Sequence, residues 1–412
     1  MGDLIKELYI NKINEIFLNV TQSKIDSIKK RVITKSGCRI YKDGYIGIAG
    51  TLGEATMDTW KKAEYNLKNK IEYKFEPCKD LKRTRDLRED TMSANEFLNV
   101  SEEVLQFLRH EYPDFIFGNK MKMIEKEIIL RNDAGLEYKN IDKCFNIELI
   151  VKEKDSVNIF DTDLSYIGRT FNKEGFIKLA KETIGNFKNK VELPKCKKVP
   201  IVTRFFGVGS KVINELDGNK IGSKASIFED KVGKEVFSKD FTVYVDRSSE
   251  NIMVPFFDSE GSTLNEDKVK IIDKGVIKLG FTDKRTAQKY NMLNTAAASS
   301  SYDGISSVSN LNYTENIFSI GNVDKTLNEI IGDKEAIYIA NMSGGDCTDE
   351  GIFSSPVQTA YLMKNGKIVG RLPEFNVRGS IYDMFGKDYL GNSKDKNYSG
   401  EEAIVMYMEI NP

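Results

Sequence analysis

Histidine occurs once in the 412 residues, as His110. Catalytic zinc centres usually take three protein ligands, imidazole prominent among them, so this chain cannot assemble a multi-histidine centre. Cysteine is nearly as scarce. Cys38, Cys78, Cys144, Cys196 and Cys347 are odd in number, widely spaced and without a Cys-x-x-Cys pair. That pattern argues against a disulfide framework and predicts reduced thiols in a cytosol. An excess of one charge is missing too, with 61 lysines and arginines against 62 aspartates and glutamates. Nucleic-acid binders usually carry a basic excess or patch, so no nucleic-acid partner is expected. No apolar run approaches membrane-spanning length, and the N-terminus lacks the apolar core and cleavage site of a signal peptide. The expectation is a cytoplasmic protein without a membrane partner.

What is present suits a sizeable core. Forty per cent of the residues are hydrophobic and 30% are charged, and this length suggests about two domains. Pro194 and the Lys195–Lys198 cluster mark a boundary, giving domains 1–193 and 194–412. Residues 3–10 can begin a helix, and the alternation of Ile16, Leu18 and Val20 then reads as a strand. Ile25–Thr34 is a second strand, and Asp43-Gly44 turns a hairpin. A stripe at Met57, Trp60, Ala63, Leu67 and Ile71 predicts a helix from Glu54, and residues 76–92 read as a mobile charged loop. Ser93 or Ser101 can cap a helix that runs to His110. Phe115–Asp133 and Glu137–Lys152 alternate as antiparallel strands joined through Asn132–Gly135. A helix follows at Lys173–Lys188, then a strand at Val199–Arg204 and a helix from Val208 to about Leu216. Thr295–Leu311 reads as a loop. Strands are expected at Glu335–Met342, Gln358–Lys364, Lys367–Gly370 and Ala403–Ile410. The fold class is α+β, with an N-terminal α/β sandwich and a larger, mainly antiparallel C-terminal domain.

The most informative stretch is Ser223–Gly280. It holds Ser226–Phe228, Val232-Gly233, an alternating Phe241–Asp246, an acidic Asp258-x-Glu260-Gly261 turn and Ile272-x-x-Gly275-Val276. In that order these resemble the central block of the TldD/PmbA family, named as modulators of DNA gyrase and including subunits of a zinc metallopeptidase. The hairpin Gly37-x-Arg39-Ile40-x-x-Asp43-Gly44-x-x-Gly47, followed by a helix, resembles that family's N-terminal domain.

In the TldD branch, His-Glu-x-x-x-His on a helix binds zinc, and the glutamate can activate a bound water. Counted back from Ala225–Phe228, those positions fall here on Gly209, Ser210 and Asn214. The resemblance is therefore to the TldE/PmbA branch, the partner subunit without the metal motif. It implies no cofactor in this chain and zinc in a TldD-like partner forming a heterodimer, with a homodimer possible in its absence. The shared chamber would admit extended or unfolded peptides. Ser299, Ser300, Asp303, Asn310, Gly344, Gly345 and Cys347 are the candidate peptide-binding or cleft-lining residues, because extended substrates pair with exposed backbone.

Other constellations are weaker. Pro113 interrupts the helix after His110-Glu111 and Phe115 follows, so His110 reads as an ordinary residue. A nucleophilic Cys347 needs a base, and no histidine is near it in sequence. Gly207-Val-Gly-Ser-Lys211 reverses the Gly-Lys-Ser/Thr order of a phosphate loop and reads as a tight strand-to-helix turn. Asp258 and Glu260 read as a turn holding a cleft wall rather than an acid/base pair. The leading expectation is a non-catalytic subunit of a peptidase complex. The alternatives are a stand-alone homo-oligomeric peptide-binding protein and, more remotely, a hydrolase using Cys347 or acidic residues.

Overall fold

The computed structural model describes residues 4–89, 92–308, 316–321, 324–395 and 402–412. An eight-stranded sheet takes up the first part of the chain. Across it run Ile71–Glu72, Tyr45–Leu52, Lys24–Lys42, Ile5–Thr21, Phe115–Asn132, Glu137–Glu153 and Lys82–Asp86, and Thr162–Gly168 also pairs with Glu137–Glu153. The expected helix at 3–10 is absent: Ile5–Thr21 is one strand, paired along both sides. Alternation explains this. Leu8 and Ile10 share the face of Ile16 and Leu18, while Tyr9 points to the other side. The first eight residues are too few to reveal that period on their own.

Helices cover one face of this sheet. Thr56 caps Met57–Asn66 and Ser93 caps Ala94–Glu111, each through a reciprocal capping box. The first helix packs Ala63 and Trp60 on Leu8, Cys38 and Ile40. The second packs Phe97, Val104, Leu105 and Leu108 over Ile16, Leu18 and Met121, where Lys173–Gly185 adds Phe176 and Ala180.

Two further sheets follow. Val276–Ile277, Lys268–Asp273, Val243–Asp246 and Phe318–Ile320 form a small four-stranded sheet. In the other, the order is Ala336–Met342, Lys198–Thr203, Ile404–Asn411, Phe375–Ser380, Ile352–Lys364 and Asp346–Cys347. Ala336–Met342 also pairs with Ile352–Lys364, so the strands between them close into a ring that leaves those strands no open edge. The result is an α+β fold with mainly antiparallel sheets. The helix expected from Val208 to Leu216 is broken into Phe205–Val208, Ser210–Glu215 and a further turn at Gly218–Gly222.

The open face of the first sheet packs on segment 246–262, and arginines make the join. Residues 82–86 fall in the expected mobile loop, yet they form a strand parallel to Glu137–Ile141. From it Arg85 donates to the Arg247 and Val254 carbonyls, both at 2.7 Å, and Arg83 pairs with Asp267. Arg169 is held by Asp142 and donates to the Ser249 and Asn251 carbonyls. Between these contacts Phe256 and Phe257 are buried against Tyr9, Leu130 and Tyr138. Arg85 therefore ends on carbonyls, and Arg83 on a carboxylate, of later segments, which local composition does not disclose. Phe256 is fully buried with Tyr138 at 5.1 Å and the Arg83 guanidinium over its ring at 4.2 Å. Phe256→Ala is expected to cost about 3–5 kcal/mol, read as a lowered urea midpoint.

Candidate functional site

The site implied by the sequence lies where strand Lys198–Thr203 turns into the broken helix. Gly209 sits at the break, beneath the ring of Phe205. A Cβ placed on Gly209 would fall inside that ring's van der Waals envelope. Phe205 cannot simply swing aside, since it packs against Phe206, Phe241 and Phe385 at 5.4, 6.2 and 5.9 Å. Any side chain at 209 must therefore displace core. Ser210 and Asn214 lie on the following turn, where they offer only a hydroxyl and an amide.

The neighbouring positions hold an ion-pair cluster instead. Lys211 Nζ lies 3.2 Å from a Glu215 carboxylate oxygen, with Lys220 at 3.4 Å. The other Glu215 oxygen accepts from the Ile227 N–H at 3.0 Å, and the Glu215 carbonyl accepts from Ser226 Oγ. Burial works against the Glu215 charge, but the Ile227 N–H and the lysines hold its carboxyl below the usual range. Cys347 lies near this cluster, half-buried in a two-residue strand that pairs with Phe353. Burial pushes its thiol up, with Lys211 opposing, which disfavours the thiolate a nucleophile or metal ligand needs. Glu215 is engaged with two lysines and the 209 position has no room, so this donor set does not fit zinc. Among the described residues no group of three or more His, Cys, Asp or Glu side chains could hold a metal ion.

The other sequence candidates separate. Gly344 and Gly345 precede Cys347 in the same hairpin, where Ser355 Oγ donates to the Gly344 carbonyl. Ser299 and Ser300 lie in a loop against the first sheet: Ser299 is buried and bridges Ser307, and Ser300 Oγ accepts from Arg39 at 3.1 Å. Exposed Asp303 and the adjacent Tyr302 lean on Gly37 and Gly50, where a Cβ would collide with them. Asn310 lies outside the described residues. His110 is exposed in the last turn of helix Ala94–Glu111.

A cleft of about 1180 Å³ opens between the first sheet and the later part of the chain. Ile124, Lys126, Cys144 and Asn146 form one wall, and Tyr244, Lys270 and Ser319 of the small sheet form another. Arg204, Phe205 and Phe206, at the start of the broken helix, close the side towards Gly209. Lys268 spans the rim between Asp246 at 3.1 Å and Glu250 at 2.6 Å. Among the described residues, its lining includes none of the sequence candidates. Sequence reading missed it because its walls come from strands far apart in the chain. The available signal was the polar residues alternating along strands 243–246 and 268–273.

Asp258 and Glu260 form a buried turn at the junction of the two parts. Asp258 accepts from the Glu260 and Ser262 N–H groups at 2.9 and 2.8 Å, and from Ala298 N–H at 3.2 Å. Glu260 accepts from the Lys284 N–H at 3.0 Å and from Tyr73 at 3.2 Å across the junction. Beside it Arg39, itself buried, reaches Glu7 at 3.2 Å and the Ser259 carbonyl. Burial, reinforced by Asp258, raises the Glu260 carboxyl to about 7.

The family model for the PmbA/TldA metallopeptidase C-terminal domain matches residues 201–403. An uncharacterised protein of Methanocaldococcus jannaschii is 21% identical over 92% of this chain and 89% of its own length. A zinc metalloprotease TldD homolog of Saccharolobus solfataricus is 23% identical, over 69% of this chain and 66% of that protein. The crystal structure of TldE from Thermococcus kodakarensis superposes with a TM-score of 0.81 at 19% identity, covering 99% of this chain and 97% of that one. The class is thus a metallopeptidase-type fold. The chain belongs to the TldD/PmbA family.

Two outcomes follow from these contacts. Gly209→Ala is expected to destabilise the protein by about 1–3 kcal/mol through overpacking against Phe205, measured as a lower urea midpoint. Folded Glu260 holds its proton more tightly than an unfolded glutamate near 4.5. Its stabilising contribution is therefore full below about pH 4.5 and is lost as pH rises through about 7. Glu260→Gln keeps the neutral form at every pH. It should match the parent near pH 4.5 and exceed it at pH 8 by on the order of 1–3 kcal/mol in urea titrations.

Proposed function

We propose that this chain is a non-catalytic, TldE/PmbA-like subunit of a cytoplasmic zinc metallopeptidase complex. In this reading a TldD-like partner carries the zinc, and the interdomain cleft supplies surface for an extended or unfolded peptide. One observation carries the proposal: counted back from Ala225–Phe228, the His, Glu and His positions of the metal motif fall on Gly209, Ser210 and Asn214. Gly209 lies under a packed ring, and the residue after Ser210 is the cation of the Lys211–Glu215 pair. The names of the relatives support the same reading, since one is a TldD homolog described as a zinc metalloprotease and another is TldE.

The mechanism assigned to this chain is holding rather than bond breaking. Water at neutral pH is a poor nucleophile, and zinc, when bound in the partner, lowers the pKa of its water towards about 7. This chain's residues would bind and orient. Tyr244 and Phe206 offer aromatic surface, while Asn146, Ser319 and Lys270, held by Glu148, Asp246 and Asp273, give the cleft wall a fixed polar lining. A polypeptide in extended conformation suits a cleft between two sheets, where side chains alternate towards the walls.

The purified chain is expected to retain no stoichiometric zinc by elemental analysis after dialysis, and to leave an unstructured peptide uncleaved. Co-expressed with a TldD-like protein of the same genome, it should co-purify and support cleavage that a chelator abolishes. Cys347→Ala should leave most of that turnover. Chelator-resistant cleavage by this chain alone, lost in Cys347→Ala, would overturn the proposal in favour of a cysteine hydrolase. Peptide binding without pairing or cleavage would favour the stand-alone binding protein.

A further inference from the structure

The helix-bearing face of the first sheet is not fully covered. Met57–Asn66 packs on Leu8, and Ala94–Glu111 packs on Ile16 and Leu18 further along the same strand. Leu8 and Ile16 are eight residues apart in a strand, or roughly 26 Å at about 3.3 Å per residue. A helix with its side chains is about 10–12 Å wide, so the two covering helices leave room for a third between them. No described helix fills that strip.

The strip has an apolar floor and a charged rim. A groove of about 580 Å³ opens beside the first helix, floored by Leu8, Ile10 and Ile129 and walled by Trp60. Val32 stands next to Lys12 and Thr34 on the same face, 68% exposed, and Met57 at the helix start is 73% exposed. Lys6, Lys12 and Arg131 surround the floor. None of the three makes an ion pair among the described residues, in a chain that pairs most of its other arginines. The carboxylates nearby are largely committed: Glu127 to Lys139, Glu125 to Arg88, and Asp133 to the Lys6 backbone N–H. Among the described residues, Asp133 and Glu54 also line the groove, and Glu54 makes no ion pair.

We propose that this strip is a docking site for an amphipathic helix supplied by another polypeptide, with an apolar stripe for the floor and acidic residues along its flanks. The occupant follows from three features: the width left between two helices, the apolar floor, and a lining in which three cations, Lys6, Lys12 and Arg131, outnumber two carboxylates, Glu54 and Asp133. A helix laid on a sheet face through an i, i+3, i+4, i+7 stripe is a common mode of recognition. The inference is independent of the peptidase reading, because it uses the opposite face of the sheet from the cleft.

Trp60 is the only tryptophan in the chain and lines the groove, so its emission reports occupancy directly. The probe is a tryptophan-free synthetic helix of about 18 residues with a leucine stripe and glutamate flanks, added to the full-length protein. Saturable binding by anisotropy, with a blue shift of Trp60 emission, is expected. Affinity should fall at least about tenfold in Lys12→Glu/Arg131→Glu and in Val32→Asp, and with added salt. All three side chains lie at the surface, and circular dichroism and melting confirm that each variant is folded. A matched helix with lysine flanks should bind at least about tenfold more weakly. Equal binding of both helices, or no Trp60 response to either, overturns the proposal. A Trp60 shift on raising protein concentration alone, with dimerisation by sedimentation, overturns it in favour of a second copy as occupant.

Discussion

Guanidinium groups that end on backbone carbonyls hold this molecule together. Arg39, Arg85 and Arg169 leave the first sheet and terminate on oxygens of segment 247–259. Arg247, within that segment, turns back on the Ala296, Pro255 and Phe257 carbonyls. A buried guanidinium needs its planar donors satisfied, and a chain bend supplies several acceptors at fixed spacing. The contact is therefore demanding in geometry as well as in charge. The Phe256–Phe257 pair, the Asp258–Glu260 turn and the cleft wall at Asp246 are all positioned by this one irregular segment.

The same segment explains what could be read in advance. The Asp43-Gly44 hairpin, the Ser93 cap and the paired strands around Asn132–Gly135 were legible because each rests on neighbours in sequence. The order of short motifs across Ser223–Gly280 was legible as well, and it led to the family. Strand Lys82–Asp86 was not legible, because Arg83 and Arg85 are resolved by acceptors more than a hundred residues away. The cleft was hidden for the same reason. The start of Ile5–Thr21 was misread because a strand gaining partners on both sides can override weak local preference.

The broken helix sets a glycine and an ion pair where the proposed reading looks for metal ligands. Strand, turn and helix are all present, and Cys347 still approaches the same helix. Two local features stand there: an aromatic ring packs over a glycine, and a lysine turns to the glutamate one turn later. The ring fits because position 209 carries no side chain, and the Glu215 carboxylate is held by Lys211 and Lys220.

The closed ring of strands carries a consequence for biosynthesis. Lys198–Thr203 sits between Ala336–Met342 and Ile404–Asn411, so its second neighbour is translated roughly 200 residues after it. The first sheet, assembled largely from consecutive hairpins, can form much sooner. For that interval Val199, Ile201 and Val202 have no lasting cover, and a nascent chain in this state offers unpaired backbone to other chains. The arginines of the finished first sheet meanwhile wait in water for carbonyls that are not yet held in place. Assembly of this protein should accordingly be most vulnerable late in translation, when most of the chain has been made but its ring is still open.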